Sequence, residues 1–144
     1  NYQELYDQAR KLPNVNYIGY RPNDFILSKL PNYHLYVYPS IWEETSCISL
    51  LESMAAGLYC VVTNYGAIYE TGSEFPIYIN YETNFNNLAF QFAEAIKVAR
   101  DTLHEPMIRK HLSLQQAFVK RFYCWEKKAH EWTNFLTGVL NAKQ

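Results

Sequence analysis

The stretch Pro39–Glu70, PSIWEETSCISLLESMAAGLYCVVTNYGAIYE, decides how the 144-residue chain is read. Its parts are a strand end, a polar loop, a short helix, a glycine stop, an apolar strand and a second polar loop. Ser46 is an N-cap candidate for a helix over residues 47–56, and Gly57 is placed to end it in left-handed conformation. LYCVV then gives a buried strand. Two carboxylates, Glu44 on the loop and Glu52 inside the helix, stand with seven residues between them.

Working outward, HLYVY (34–38) precedes the loop as a strand and VNYIGY (15–20) reads as another, ending at the Arg21-Pro22 turn. Tyr2, Leu5, Tyr6 and Ala9 share one helical face before Pro13, and Asn23 is a cap candidate for DFILSKL. Pro76–Ile79 is a further short strand. The last third is helical. Leu88, Phe92, Ile96 and Ala99 mark one helix, capped at Asn84 or Asn86. A second follows Pro106, and a third carries Trp125, Ala129, Trp132, Leu136 and Val139 as a stripe expected to pack on the domain, with Lys127 and Lys128 on a solvated face. Strands alternating with helices at this spacing predict an α/β fold: a Rossmann-like parallel sheet of about four strands, flanking helices and a helical C-terminal third.

Composition narrows the function. Hydrophobic residues at 49% and aromatics at 17% suit a folded core, and 144 residues suit one domain. A net charge of −1 without a basic cluster argues against nucleic acid, even though 13 tyrosines would offer stacking surfaces. Cys47, Cys60 and Cys124 have neither disulfide-framework nor zinc spacing and fit a reducing compartment. His34, His104, His111 and His130 are scattered, without metal spacing or a partnered nucleophile.

In an open parallel sheet, ligands bind beyond the carboxyl ends of the strands, where loop 40–46 falls. The free N–H groups and dipole of the following helix favour an anion such as a phosphate. Glu52 has Ile48, Ser49, Ala55 and Ala56 as helical neighbours. A carboxylate there either reaches solvent at the edge of the stripe or accepts hydroxyls of a ligand such as a ribose diol. Glu44 is either a solvated loop acid favourable to the helix dipole or a second ligand contact. Spacing alone leaves both pairs of alternatives open, and no catalytic base or metal site is assignable from these residues.

The same stretch resembles the donor-site signature of the retaining GT-B glycosyltransferases, glycosyltransferase family 4 in particular, which reads roughly PS…EGFGLPxLEAMAxGxPVVASxxGGxxE. Pro39, Ser40, Glu44, Leu51, Glu52, Met54, Ala55, Gly57, Val61, Val62, Gly66 and Glu70 fall in register with it. NVNYIGYRPNDFILSKLPNYHLYVYPS resembles the lead-in of that family and RFYCWEKKAHEWTNFL its closing helix, so the likeness covers most of the chain. In the family that helix crosses to the other domain, which implies that part of the tryptophan stripe is left exposed, as the alternative to its packing on this domain. It implies the C-terminal, nucleotide-sugar-binding half of a two-domain enzyme, one domain over residues 1–144. The acceptor domain and the strands bearing a diphosphate-clamping Arg and Lys would lie outside this sequence.

By the same resemblance, Glu44 binds the transferred sugar, with the backbone of Thr45, Ser46, Cys47 and Ile48 approaching the sugar or its phosphates. Glu52 holds the ribose diol. Gly19, Tyr20 and Arg21 lie near the base, Arg21 being a stacking group or an ordinary turn residue. Gly66 and Glu70 form a second donor loop, Glu70 alternatively serving a short helix. The implied substrates are a nucleotide-diphosphate sugar such as a UDP-sugar, and a glycan, lipid-linked or small-molecule acceptor in polysaccharide biosynthesis. No metal or other cofactor is implied, and no nucleic acid. The place implied is cytoplasmic, with peripheral attachment to the inner face of a membrane as an option. Thr45, Cys47 and Ser49 stand where the family has glycine, glycine and proline, so the Thr45 and Cys47 side chains are expected to narrow or reshape the sugar pocket, Cys47 otherwise reading as a passive pocket or helix residue. The alternative is a degenerate nucleotide-sugar-binding or interaction module without turnover.

Overall fold

In the computed structural model, which describes residues 2–142, the apolar run after Gly57 becomes the central strand of a three-stranded sheet. The elements are α1 (Gln3–Lys11), α2 (Asn23–Lys29), a 3-10 turn (Leu30–Asn32), β1 (Leu35–Tyr38), α3 (Ile48–Ala56), β2 (Tyr59–Asn64), α4 (Ile68–Gly72), β3 (Ile77–Asn80), α5 (Phe85–Thr102), α6 (Pro106–Phe122) and α7 (Trp125–Asn141). The order is β1-β2-β3, both pairings parallel. Leu35 lies opposite Tyr59 and Val61 opposite Ile77. In β2 only Asn64 is exposed, as expected of a parallel strand covered on both faces.

The two-residue period of the strands sorts the core into two layers. Cys60 and Val62, with Tyr36, Tyr38 and Tyr78, face Leu50 and Met54 of α3, Ile68 of α4 and Val119 of α6. Tyr59, Val61 and Ile79 face Leu88, Phe92 and Ala99 of α5. Leu50 and Met54 are fully buried. Each such side chain contributes about 1.5–3 kcal/mol, which fixes α3 against the sheet. Gly57 ends that helix at φ 86°, and Asn84 caps α5 by accepting from the Asn87 N–H at 3.2 Å.

The other end of α3 is held by α6. Gln115, fully buried, donates from Nε2 to the carbonyls of Met54 at 3.1 Å and Leu58 at 2.9 Å. Gln116 Nε2 donates to the Ala55 carbonyl at 3.1 Å. The Met54 carbonyl also accepts from the Gly57 N–H at 3.1 Å, so the α6 amides add to the helix's own C-terminal bonding and tie that end of α3 down.

Several sequence expectations are corrected. The sheet has three strands rather than about four, because Val15–Tyr20 forms none. Gly19 takes φ 64°, outside any pleat, and Tyr17 instead stacks on Tyr6 of α1 at 5.2 Å beneath the Arg10 guanidinium. With both faces of the segment exposed, no burial would reward a strand there. Ser46 is not the N-cap of α3. That place falls to Cys47, at φ −125° and ψ 91°, with no side-chain cap. Asn23 is already inside α2, whose first turn is bound by Asp24 to the Phe25 N–H. The stripe on α7 does not pack on the domain: no α7 residue is buried, and Trp125 is 86% exposed.

Candidate functional site

The carboxyl ends of the three strands meet at one edge. The residues following β1 form the loop that carries Glu44, and those following β2 form the loop with Gly66. The two loops are fastened through their backbones. The Ala67 N–H donates to the Glu44 carbonyl at 2.7 Å. Gly66 has φ 60°, and a Cβ there would stand 2.5 Å from the Glu44 carbonyl oxygen and 2.6 Å from its nitrogen. Only glycine allows that approach. A second tie joins the chain after β2 to that after β3, where Tyr65 and Tyr81 stack at 4.2 Å. Alongside it, Asn64 Nδ2 donates to Asn80 Oδ1 at 3.3 Å.

Glu44 is half-buried, and the Tyr38 hydroxyl donates to its Oε1 at 2.5 Å. That bond, with some burial, raises the Tyr38 pKa above its ordinary value, because ionising the phenol would set two negative charges together. Tyr38 stacks on Tyr36 at 5.8 Å, and the Tyr36 hydroxyl lies 2.7 Å from Ser49 Oγ on α3. The loop acid is therefore fixed by its backbone from one side and by a strand tyrosine from the other. Glu52, half-buried on the second turn of α3, accepts from Asn23 Nδ2 at 3.0 Å. Each acid thus has one oxygen held by a neutral donor and keeps lone pairs for a ligand.

The remaining residues singled out in the sequence fall as follows. Thr45, Ser46 and Ile48 are exposed around the entrance to α3. The helix N-terminus has no side-chain cap, so its first-turn N–H groups are available to an acceptor. Cys47 is a passive residue at the start of the helix: it is 4% exposed and packs in the layer with Leu50, Met54 and Cys60. Its side chain cannot narrow a pocket at the mouth. Gly19, Tyr20 and Arg21 run into α2, whose Asn23 touches Glu52. Tyr20 is 90% exposed, and Arg21 donates to the Tyr20 carbonyl at 3.1 Å with its guanidinium 5.9 Å from the Phe25 ring. Gly66 is held against Glu44, while Glu70 sits exposed in the first turn of α4, a favourable place for a carboxylate.

Sequence reasoning missed Tyr38 and Asn23, the donors that hold the two acids. A strand tyrosine or turn asparagine carries no signal of its own until the loop path is known. It also missed an open cleft of about 420 Å³ lined by Ile41, Trp42, Glu43 and Tyr65. A larger hollow of about 550 Å³ lies at the other end of α3, against α6, and includes neither acid. Burial pushes the Cys60 thiol up to about 12, which keeps it a neutral core residue.

Among the described residues no three His, Cys, Asp or Glu side chains gather as a metal site. No described helix is long and apolar enough to cross a membrane. Comparison with curated proteins yields no match. The family model described as "Glycosyl transferases group 1" matches residues 1–90. That span includes all three strands and both acids, and on this match over more than half its length the chain belongs to the glycosyl transferases group 1 family.

Proposed function

We propose that the chain is the donor-binding half of a retaining GT-B hexosyltransferase of glycosyltransferase family 4, acting on a nucleoside-diphosphate sugar. The observation that carries this is the placing of Glu44 and Glu52. Both lie at the carboxyl edge of a parallel sheet, one before the N-terminus of α3 and one on its second turn, each held by a single neutral donor. Glu52 accepts the ribose diol, Glu44 accepts sugar hydroxyls, and the first-turn N–H groups of α3 face the phosphates. Gly19–Arg21 borders the base, while Gly66 and Glu70 belong to the second donor loop.

In this scheme the nucleoside diphosphate leaves as the acceptor attacks the same face of the sugar. The bond from the anomeric carbon to the phosphate oxygen breaks, the bond to the acceptor oxygen forms, and the acceptor proton passes to the departing phosphate. No side chain of this sequence acts as nucleophile, and the scheme requires no resident metal. Loops 39–47 and 64–67 hold no lysine or arginine. Cations stabilising the leaving diphosphate, a large share of the rate in such reactions, would come from outside these loops. An acceptor-binding domain of a longer protein would supply the second substrate, in the cytoplasm or at the inner face of a membrane.

A second reading, a nucleotide-sugar-binding module without turnover, is favoured by the same lack of cations and by Thr45 in place of glycine. Titration with UDP, GDP and ADP tests the donor site. Binding of at least one is expected, and Glu52→Ala should weaken the nucleotide itself. Glu44→Ala should weaken only the sugar-bearing form. No response to any nucleotide, or equal losses in both variants with both ligands, would defeat the assignment. Sugar transfer by the longer protein separates the enzyme from the module.

A further inference from the structure

The cleft beside Glu43 is a separate feature of the same edge. Its walls are Ile41, Trp42, Glu43 and Tyr65, and Glu44 is not among them. Trp42 is 76% exposed, an unusual state for the largest apolar side chain. It is nonetheless held by its own backbone. The Trp42 N–H donates to Ser40 Oγ at 3.2 Å, and that hydroxyl is 3.3 Å from the Trp42 carbonyl. The next residues are clamped by Gly66 and Ala67, and Tyr65, which also lines the cleft, is locked by its stack on Tyr81. An indole presented by a fixed loop, in one cleft with a fixed tyrosine and a solvated carboxylate, is a preformed surface.

The chemistry of that surface selects its occupant. A flat aromatic face suits the C–H face of a pyranose ring, and an acid beside it suits the equatorial hydroxyls of that ring. A nucleotide would also stack on an indole, but the walls offer Glu43 and no cation to receive a phosphate. A neutral saccharide meets no such penalty. Adjacent acids thus serve different spaces: Glu44 is turned to Tyr38, whereas Glu43 borders the cleft.

We infer that Ile41, Trp42, Glu43 and Tyr65 form a second saccharide subsite, taking a neutral pyranose on the acceptor side of the donor site. The acceptor-side label rests on the donor assignment proposed above; the pyranose specificity of the cleft does not. Trp42 supplies the platform, Glu43 accepts hydroxyls, and Tyr65 adds a second, fixed aromatic wall.

The test uses the chain labelled with nitrogen-15. The three tryptophan indole N–H signals are separated by the loss of one in Trp42→Ala, whose exposed position leaves the far-ultraviolet dichroism unchanged. Methyl α-glucopyranoside, methyl α-mannopyranoside and methyl α-galactopyranoside are titrated singly, with UDP and GDP as separate arms. Saturable shifts of the Trp42 indole and of the Glu43 and Tyr65 amides with at least one pyranoside are expected. Trp42→Ala should abolish the amide shifts or weaken them at least about tenfold, as for a central aromatic anchor. Glu43→Gln should weaken the same shifts several-fold. Absence of shifts with every pyranoside overturns the inference, as does a Trp42 response to free UDP or GDP without one to sugars. Nucleotide shifts at Asn23 and Glu52 report the donor site independently, so either assignment can fail while the other stands.

Discussion

Gly66→Ala is the substitution that most directly tests how the two loops hold the candidate site. A methyl group there would meet the Glu44 carbonyl oxygen at 2.5 Å and its nitrogen at 2.6 Å. Ordinary contact begins near 3.4 Å, so one loop must retreat by about 1 Å. Left-handed backbone costs an L-residue roughly 1–2 kcal/mol. Breaking the Ala67–Glu44 hydrogen bond removes about 1 kcal/mol more. A stability loss of about 2–3 kcal/mol is therefore expected, read as a lower urea midpoint with an unchanged slope. Gly138→Ala is the control. Its added methyl meets nothing within 4 Å, and alanine in a helix should be neutral or stabilise by up to about 1 kcal/mol. Because Glu44 moves with its backbone, Gly66→Ala should weaken a nucleotide sugar more than the free nucleotide. A Gly66→Ala protein within about 0.5 kcal/mol of the parent, a margin ordinary for surface changes, would refute the account of the joint between the loops.

Other outcomes follow from the same contacts. Gln115→Leu should destabilise by about 1–2 kcal/mol in urea unfolding, since it removes two buried amide–carbonyl bonds while Met54 keeps the Gly57 N–H and Leu58 the Cys60 thiol. Tyr38→Phe should preserve the fold yet weaken nucleotide-sugar binding several-fold through a looser Glu44, with free nucleotide unaffected in calorimetry. Burial raises the Tyr36, Tyr78 and Cys60 pKa values above their ordinary 10.0, 10.0 and 9.0. The unfolded chain then loses protons first as pH climbs, so stability is complete below about 9 and falls above it. Urea midpoints measured from neutral to alkaline pH check the sign, and Cys60→Ala should reduce the earliest part of the decline. Removing α7 after Cys124 should change the unfolding free energy by less than about 1 kcal/mol, because it buries no residue.

The central βα unit was legible because its signals are local. Gly57 permits the left-handed stop, and the run after it is apolar on both faces because both faces are covered. Asn84 was legible for the same reason, acting three residues from its own position. What failed depended on company. Val15–Tyr20 has strand composition, but Tyr17 pairs with Tyr6 instead of a sheet. Ser46 has cap chemistry, but the loop enters α3 one residue later, at Cys47. The two acids were visible as a spacing. Their partners were not, because Tyr38 meets Glu44 only after the loop doubles back, and Asn23 meets Glu52 across 29 residues of sequence. Gln115 is the extreme case. A glutamine on an amphipathic helix reads as surface, and only the packing of α6 against α3 makes it interior.

That packing bears on where this unit can be cut. The family-matched span stops at residue 90, within α5 and well before α6 begins at Pro106. The helix that carries Glu52 thus has its far end completed by a side chain the family pattern does not include. A graft of residues 1–90 into another scaffold would transfer the ligand edge and leave the Met54 and Leu58 carbonyls without the Gln115 amide that donates to both. For exchange or recombination, the smallest transplantable piece runs at least to Val119, the last core residue of α6. The boundary of the motif and the boundary of what can stand by itself are different places in this chain.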